Sequence, residues 1–284
     1  NDGVEIYYDV QGEGKPLLML PGWTCSTKFW KQNVDELAKS CKVITMDLRA
    51  HGESEKVLHS HRISRYAMDV KNLLDYLDIK DVTGLGWSMG ASIWWSYIEL
   101  FGNDRLSGLI CVDQSPAQYI GPDWQWGQKG CYDVESFIRL CCGIQADPEG
   151  SAAGLITGCL NHTPDPEDAK MLAAEANKCP PYARIEIMRD HTNLDWRDFI
   201  PHINLPTLVC VAKKSNIFDW HGSAWVGENI PGAKTVFFED SGHMLFWDEA
   251  RSEEHTSELQ SPMYRVCCVL LEKKKFKIPT HPAI

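Results

Sequence analysis

At 284 residues the chain is long enough for one large domain, or one domain with an insertion. Its 44% hydrophobic and 24% charged content is ordinary for a folded enzyme, and its net charge of -11 argues against a nucleic-acid partner, because phosphate binding needs a basic face. No apolar run approaches the roughly 18 residues of a membrane span, so neither a membrane nor nucleic acid is an expected partner, and oligomeric state is not legible.

Val4 to Val10 alternates apolar and polar residues before Gly12, Gly14 and Pro16, and reads as a strand and turn. Leu17 to Leu20 is wholly apolar, like a strand buried on both faces of a parallel sheet, and ends in Pro21-Gly22-Trp23. Phe29 to Ala38 reads as a helix. Val43 to Met46 is the next strand, ending in the polar loop Asp47 to Ser54, whose Asp47, Arg49 and His51 are expected to brace it. Ile63, Ala67, Val70, Leu73, Leu74 and Leu77 recur at helical spacing. Val82 to Leu85, a helix over Ala91 to Phe101, and Leu109 to Val112 continue the alternation, which predicts an α/β fold with a mostly parallel sheet covered by helices.

After Pro116 the rhythm breaks. Helical patterns at Val134 to Cys142, Glu167 to Asn177 and Ala183 to Asn193 predict a helical insertion over about 117–196. Strand and helix then resume with Thr207 to Val211, Trp220 to Asn229 and Thr235 to Phe238. The segment 251–284 is a different matter. Arg251 to Pro262 reads as a one-frame translation of a sequencing adapter, so the domain is drawn over 1–250 and the tail is left outside the fold.

The eleven cysteines contain no C-x-x-C pair, and Cys141-Cys142 and Cys267-Cys268 are adjacent, which suits neither zinc nor ordinary disulfides. Reduced thiols, a cytoplasmic setting and no metal or cofactor are the expectation. Asn1 opens the chain without a methionine, so the lack of a visible signal peptide carries no argument.

One pentapeptide organises the chain: Gly86-Trp87-Ser88-Met89-Gly90, between a strand and a helix. G-x-S-x-G in that setting is a nucleophile elbow, with glycines where a Cβ would collide with the neighbouring strand or helix. Taken with Pro21-Gly22-Trp23, the Asp47 to Ser54 loop, Asp113-Gln114-Ser115-Pro116 and Ser241-Gly242-His243, it resembles the α/β-hydrolases, specifically the cofactor-free haloperoxidase-like esterases. The resemblance covers about 1–250. It implies an eight-stranded, mostly parallel sheet with the site at the carboxyl ends of the strands. It also implies a helical cap after the sixth strand. The first strand looks clipped, and the tail stands where a final helix is expected.

Chemically, Ser88 needs a base, and His243 follows the last strand in the chain order this fold uses. His243 is therefore preferred over His51, His191 and His221. An oxyanion hole needs two fixed N–H donors. Elbow geometry supplies Met89, and the resemblance supplies Trp23. The acid is less direct, because Ser215 occupies the place where the family usually carries it. Asp113 is the preferred acid and Asp219 the alternative. Trp23, Trp87, Trp124 and Trp126 are candidate substrate-binding residues. The expected activity is a serine hydrolase acting on a small ester or lactone through an acyl-enzyme, with perhydrolysis as a side activity. The alternative is a non-catalytic receptor or decayed enzyme on the same scaffold.

Overall fold

The short apolar runs form the centre of one sheet. A computed structural model describes residues 2–249, and the expectation for 251–284 lies outside these described residues. Strands β1 (Tyr8–Gln11), β2 (Lys15–Leu20), β3 (Cys41–Met46), β4 (Val82–Trp87), β5 (Leu106–Val112), β6 (Thr207–Ala212) and β7 (Lys234–Phe238) lie in the order β1-β3-β2-β4-β5-β6-β7. β1 runs antiparallel to β3, with Tyr8 opposite Met46. Every other neighbouring pair is parallel.

Side chains alternate between two cores, as strand geometry requires. Leu18, Leu20, Ile44, Leu109 and Val209 face helices α2 (Ile63–Tyr76), α3 (Met89–Phe101) and α8 (Trp220–Asn229). Leu17, Met19, Val43, Ile110 and Cys210 face the opposite core, with Phe29, Trp30 and Phe246. Strand order reverses between β2 and β4. In open α/β sheets, ligands bind beyond the carboxyl ends at such a switch point.

Between β5 and β6 the chain builds the expected cap from α4 (Val134–Ala146), α5 (Pro148–Cys159), α6 (Pro166–Asn177) and α7 (Pro181–Thr192). Buried Arg184 gathers it, donating to Cys179 O at 2.5 Å, Pro148 O at 2.9 Å and Asn177 Oδ1 at 2.7 Å. Helix α5 was not legible in its sequence, which is rich in Gly and small residues. It is set by the Asp147 cap on the Gly150 N–H, by Pro148 in the first turn, and by burial of Ala152, Ile156 and Cys159.

Three expectations are corrected. The described residues hold seven strands rather than eight. The Val4 to Val10 strand begins only at Tyr8, because Glu5 and Tyr7 spend their backbone bonds on the 47–55 loop. The Phe29 to Ala38 helix is instead a 3-10 turn, Thr27–Trp30, and a short α1 (Val34–Leu37). The chain bends between them where Asn33 Nδ2 donates to Phe246 O at 3.2 Å and Trp30 packs on Phe246 at 4.5 Å.

The elbow glycines are sterically obligatory. A Cβ on Gly86 would stand 2.4 Å from Ala91 N, and one on Gly90 would stand 2.4 Å from Leu20 O and 2.9 Å from Pro21 O. Main-chain atoms cannot swing aside as a flexible side chain can. Gly90→Ala should therefore cost about 3 kcal/mol, an overpacking penalty at the upper end of its usual range, read as a lowered denaturant midpoint. An unchanged midpoint would show that the β2 end can retreat.

Candidate active site

Ser88 stands between the end of β4 and the start of α3, with φ 55° and ψ −127°. An L-residue at positive φ is strained, and it persists only where its surroundings dictate it. Here the Ser88 N–H donates to Val112 O at 2.9 Å, and its carbonyl accepts from Ala91 N–H at 2.8 Å. The residue is 8% exposed.

At the end of β5, Asp113 is also in the left-handed region, with φ 43°, and is fully buried. Its N–H donates to Cys210 O at 2.9 Å, which ties it to β6. Its Oδ2 lies 2.7 Å from His243 Nδ1. Its Oδ1 accepts from Ser223 Oγ at 3.0 Å and from Ala212 N–H at 3.4 Å. An ionised carboxylate only accepts, so in such a contact Nδ1 is the donor and Nε2 is the nitrogen left on the far side of the ring. The rest of His243 is held equally firmly. Its carbonyl accepts from Trp87 Nε1 at 3.0 Å, and the Trp87 and Phe218 rings flank the imidazole at 5.3 and 5.5 Å.

Of the two acid candidates, Asp113 therefore meets His243 and Asp219 does not. Asp219 caps α8, accepting from the His221 N–H at 3.0 Å and contacting His221 Nδ1 at 2.6 Å. Ser215 is buried in a turn, where its hydroxyl accepts from the N–H groups of Ile217 and Phe218 at 3.3 Å. The loop after β6 is built as a brace.

Trp23, Ser88, Met89 and His243 line one cavity of about 30 Å3. Gly22 places the loop after β2 against the elbow: a Cβ there would lie 3.2 Å from Ser88 Cβ. Met89 opens α3, where a first-turn N–H has no acceptor within the helix. The Trp23 indole is tied to the cap, donating from Nε1 to Arg184 O at 3.0 Å. Apolar Leu155, Met188, Ile217 and Phe218 complete much of the wall.

A sequence profile for the alpha/beta hydrolase fold matches residues 15–146, the span that carries β2 to β5, the elbow and Asp113. The chain has the α/β-hydrolase fold. It is 25% identical over 251 residues to the AB hydrolase superfamily protein YisY of Bacillus subtilis, covering 87% of this chain and 91% of that one. Over 117 residues it is 31% identical to a non-heme haloperoxidase of Rhodococcus erythropolis, covering 41% and 43% of the two chains. In structure it resembles an esterase of Exiguobacterium antarcticum, with a TM-score of 0.83, 24% identity, and 87% and 92% coverage.

Two candidate substrate residues lie elsewhere. Trp124 and Trp126 line a separate open depression with Asp123, Asp195, Arg197 and Trp225, not the Ser88 cavity. Trp124 donates from Nε1 to Ala117 O at 3.3 Å and packs edge-on to Trp225, while Trp126 stacks on His221. Gln118 and Gln128 take their place at the cavity, and neither was singled out in the sequence. Nothing local distinguishes a glutamine in an irregular segment. His191, weighed only as a rival base, also lines the cavity. Its burial holds the imidazole down at about 3, so it is neutral in the physiological range. Ser223 gave no signal, being a serine inside a helical pattern.

Elsewhere, the brace expected of the 47–54 loop is present. Asp47 Oδ1 accepts from Thr27 N–H at 2.6 Å and its Oδ2 from Glu53 N–H at 2.7 Å, while Arg49 forks onto Asp69 at 2.7 and 2.9 Å. No disulfide joins the nine cysteines among the described residues. No helix among the described residues is long and apolar enough to cross a membrane.

Proposed function

We propose that this chain is a serine hydrolase that cleaves a small carboxylic ester or lactone through an acyl-enzyme. The observation that carries the reading is the 2.7 Å contact from buried Asp113 to His243 Nδ1, in a cavity that His243 shares with Ser88. A free serine hydroxyl is a poor nucleophile at neutral pH. With Nδ1 committed to Asp113, Nε2 is the nitrogen that takes the Ser88 proton as Oγ attacks the substrate carbonyl. The developing oxyanion is met by the main-chain N–H groups of Trp23 and Met89, each worth about 3 kcal/mol in the transition state. His243 then returns the proton to the leaving alkoxide, and the C–O bond breaks. Water repeats the cycle, releasing the acid and restoring Ser88.

Hydrogen peroxide in place of that water would give a peracid by the same steps. This side activity is favoured by the likeness to a non-heme haloperoxidase. A non-catalytic receptor draws its support from Ser215 in the usual acid position, and the Asp113–His243 contact weakens that support. A fluorophosphonate probe tests the reading. We expect covalent labelling at Ser88, lost in Ser88→Ala. A protein that stays unlabelled, yet binds esters, would favour the receptor.

A further inference from the structure

The Ser88 cavity is lined by polar residues that ester hydrolysis does not use. His191 on α7 is buried, with its Nδ1 out of contact with solvent and without a hydrogen-bond partner in the protein. Gln128 Oε1 is buried and unpartnered in the same way. Both residues line the cavity with Ser88 and His243, and buried Gln118 joins them there. The protein has invested in this arrangement. Gln128 N–H donates to Gln118 O at 2.8 Å, Lys129 N–H to Ile217 O at 2.8 Å, and Lys129 Nζ to Ser215 O at 2.7 Å. The loop that usually carries the triad acid is thus used to hold Gln128 at the cavity wall.

Leaving a buried donor or acceptor without a partner is costly. A neutral imidazole offers one N–H and one lone pair, and an amide oxygen accepts only. A hydroxyl both donates and accepts, so it is the smallest substrate group that can serve either residue. We propose that the cavity selects ester substrates whose acyl chain carries a hydroxyl, with His191 and Gln128 as the residues that recognise it. This rests on the hydrolase reading above for the position of the carbonyl, but not for the recognition itself.

Binding to Ser88→Ala separates the two, because it needs no turnover. The probes are methyl 2-hydroxypropanoate and methyl 3-hydroxybutanoate. Each is compared by calorimetric competition with its methyl-for-hydroxyl isostere, methyl 2-methylpropanoate or methyl 3-methylbutanoate. We expect at least one hydroxy ester to bind about 10-fold or more tightly than its isostere, since a site built for a hydroxyl rejects the analogue that lacks it. In His191→Phe and Gln128→Met on the same background, that ratio should fall toward one, through loss on the hydroxy side. Equal binding within both pairs, or a preference that survives both substitutions, would overturn the proposal. The first comparison needs no cavity variant, so it decides even where a variant does not fold. If Ser88 were not the nucleophile, the binding preference would persist while fluorophosphonate labelling failed.

Discussion

Ser88→Ala should lower kcat for p-nitrophenyl esters by a factor on the order of 10^6, with KM changed by a few-fold at most. Only Oγ is removed, and its work lies in the transition state rather than in ground-state binding. Alanine keeps the Cβ, so the backbone strain at φ 55° remains and stability should hardly move. Ser88→Gly separates the roles further. Glycine adopts this backbone freely, so the variant should be equally inactive yet more stable by about 1 kcal/mol, the lower end of the cost of a strained residue. Thermal unfolding of both variants beside their ester kinetics reads this out. An inactive Ser88→Gly no more stable than the parent would mean that the elbow is relaxed. An active Ser88→Ala would remove the nucleophile altogether.

What could be read from the sequence divides along physical lines. Buried parallel strands are legible because both faces are apolar. Leu17 to Leu20, Val43 to Met46 and Thr207 to Val211 all fall inside observed strands. The helix Trp220–Asn229 matches at both ends. Elements fixed by tertiary contact were not legible. Helix α5 carries no amphipathic stripe, and Trp124 and Trp126 looked like pocket aromatics because packing partners such as Trp225 and His221 lie far along the chain. The site follows the same division. The elbow is a local steric pattern and could be read directly. The Asp113–His243 pairing spans 130 residues, and chain order alone left Asp113 and Asp219 both open. His191 and Gln128 reach the cavity only through the cap fold.

The second large effect concerns that pairing. Asp113→Asn should lower kcat by about 10^4-fold with the fold intact, and the reason lies in the orientation of the new amide. On the Oδ1 side, Ser223 Oγ–H and Ala212 N–H are donors, so the asparagine carbonyl is held there. Its NH2 group must then face His243 Nδ1 at the Oδ2 position. Two donors cannot share that contact, so Nδ1 gives up its proton and His243 carries it on Nε2. Such an imidazole has no lone pair for the Ser88 proton. Burial of Asp113 leaves little room for water to relieve the conflict. Asp219→Asn is the control. Its carboxylate faces His221 at the surface, so ester turnover should stay within about 3-fold, with at most a small loss of helix capping. The reverse pattern, a collapse in Asp219→Asn and near-normal turnover in Asp113→Asn, would move the acid to the loop after β6. A further variant sharpens the assignment. Adding Ser223→Ala to Asp113→Asn removes one of the two donors that fix the amide, so some turnover should return. No recovery at all would mean that the lost charge, rather than the imposed tautomer, carries the effect.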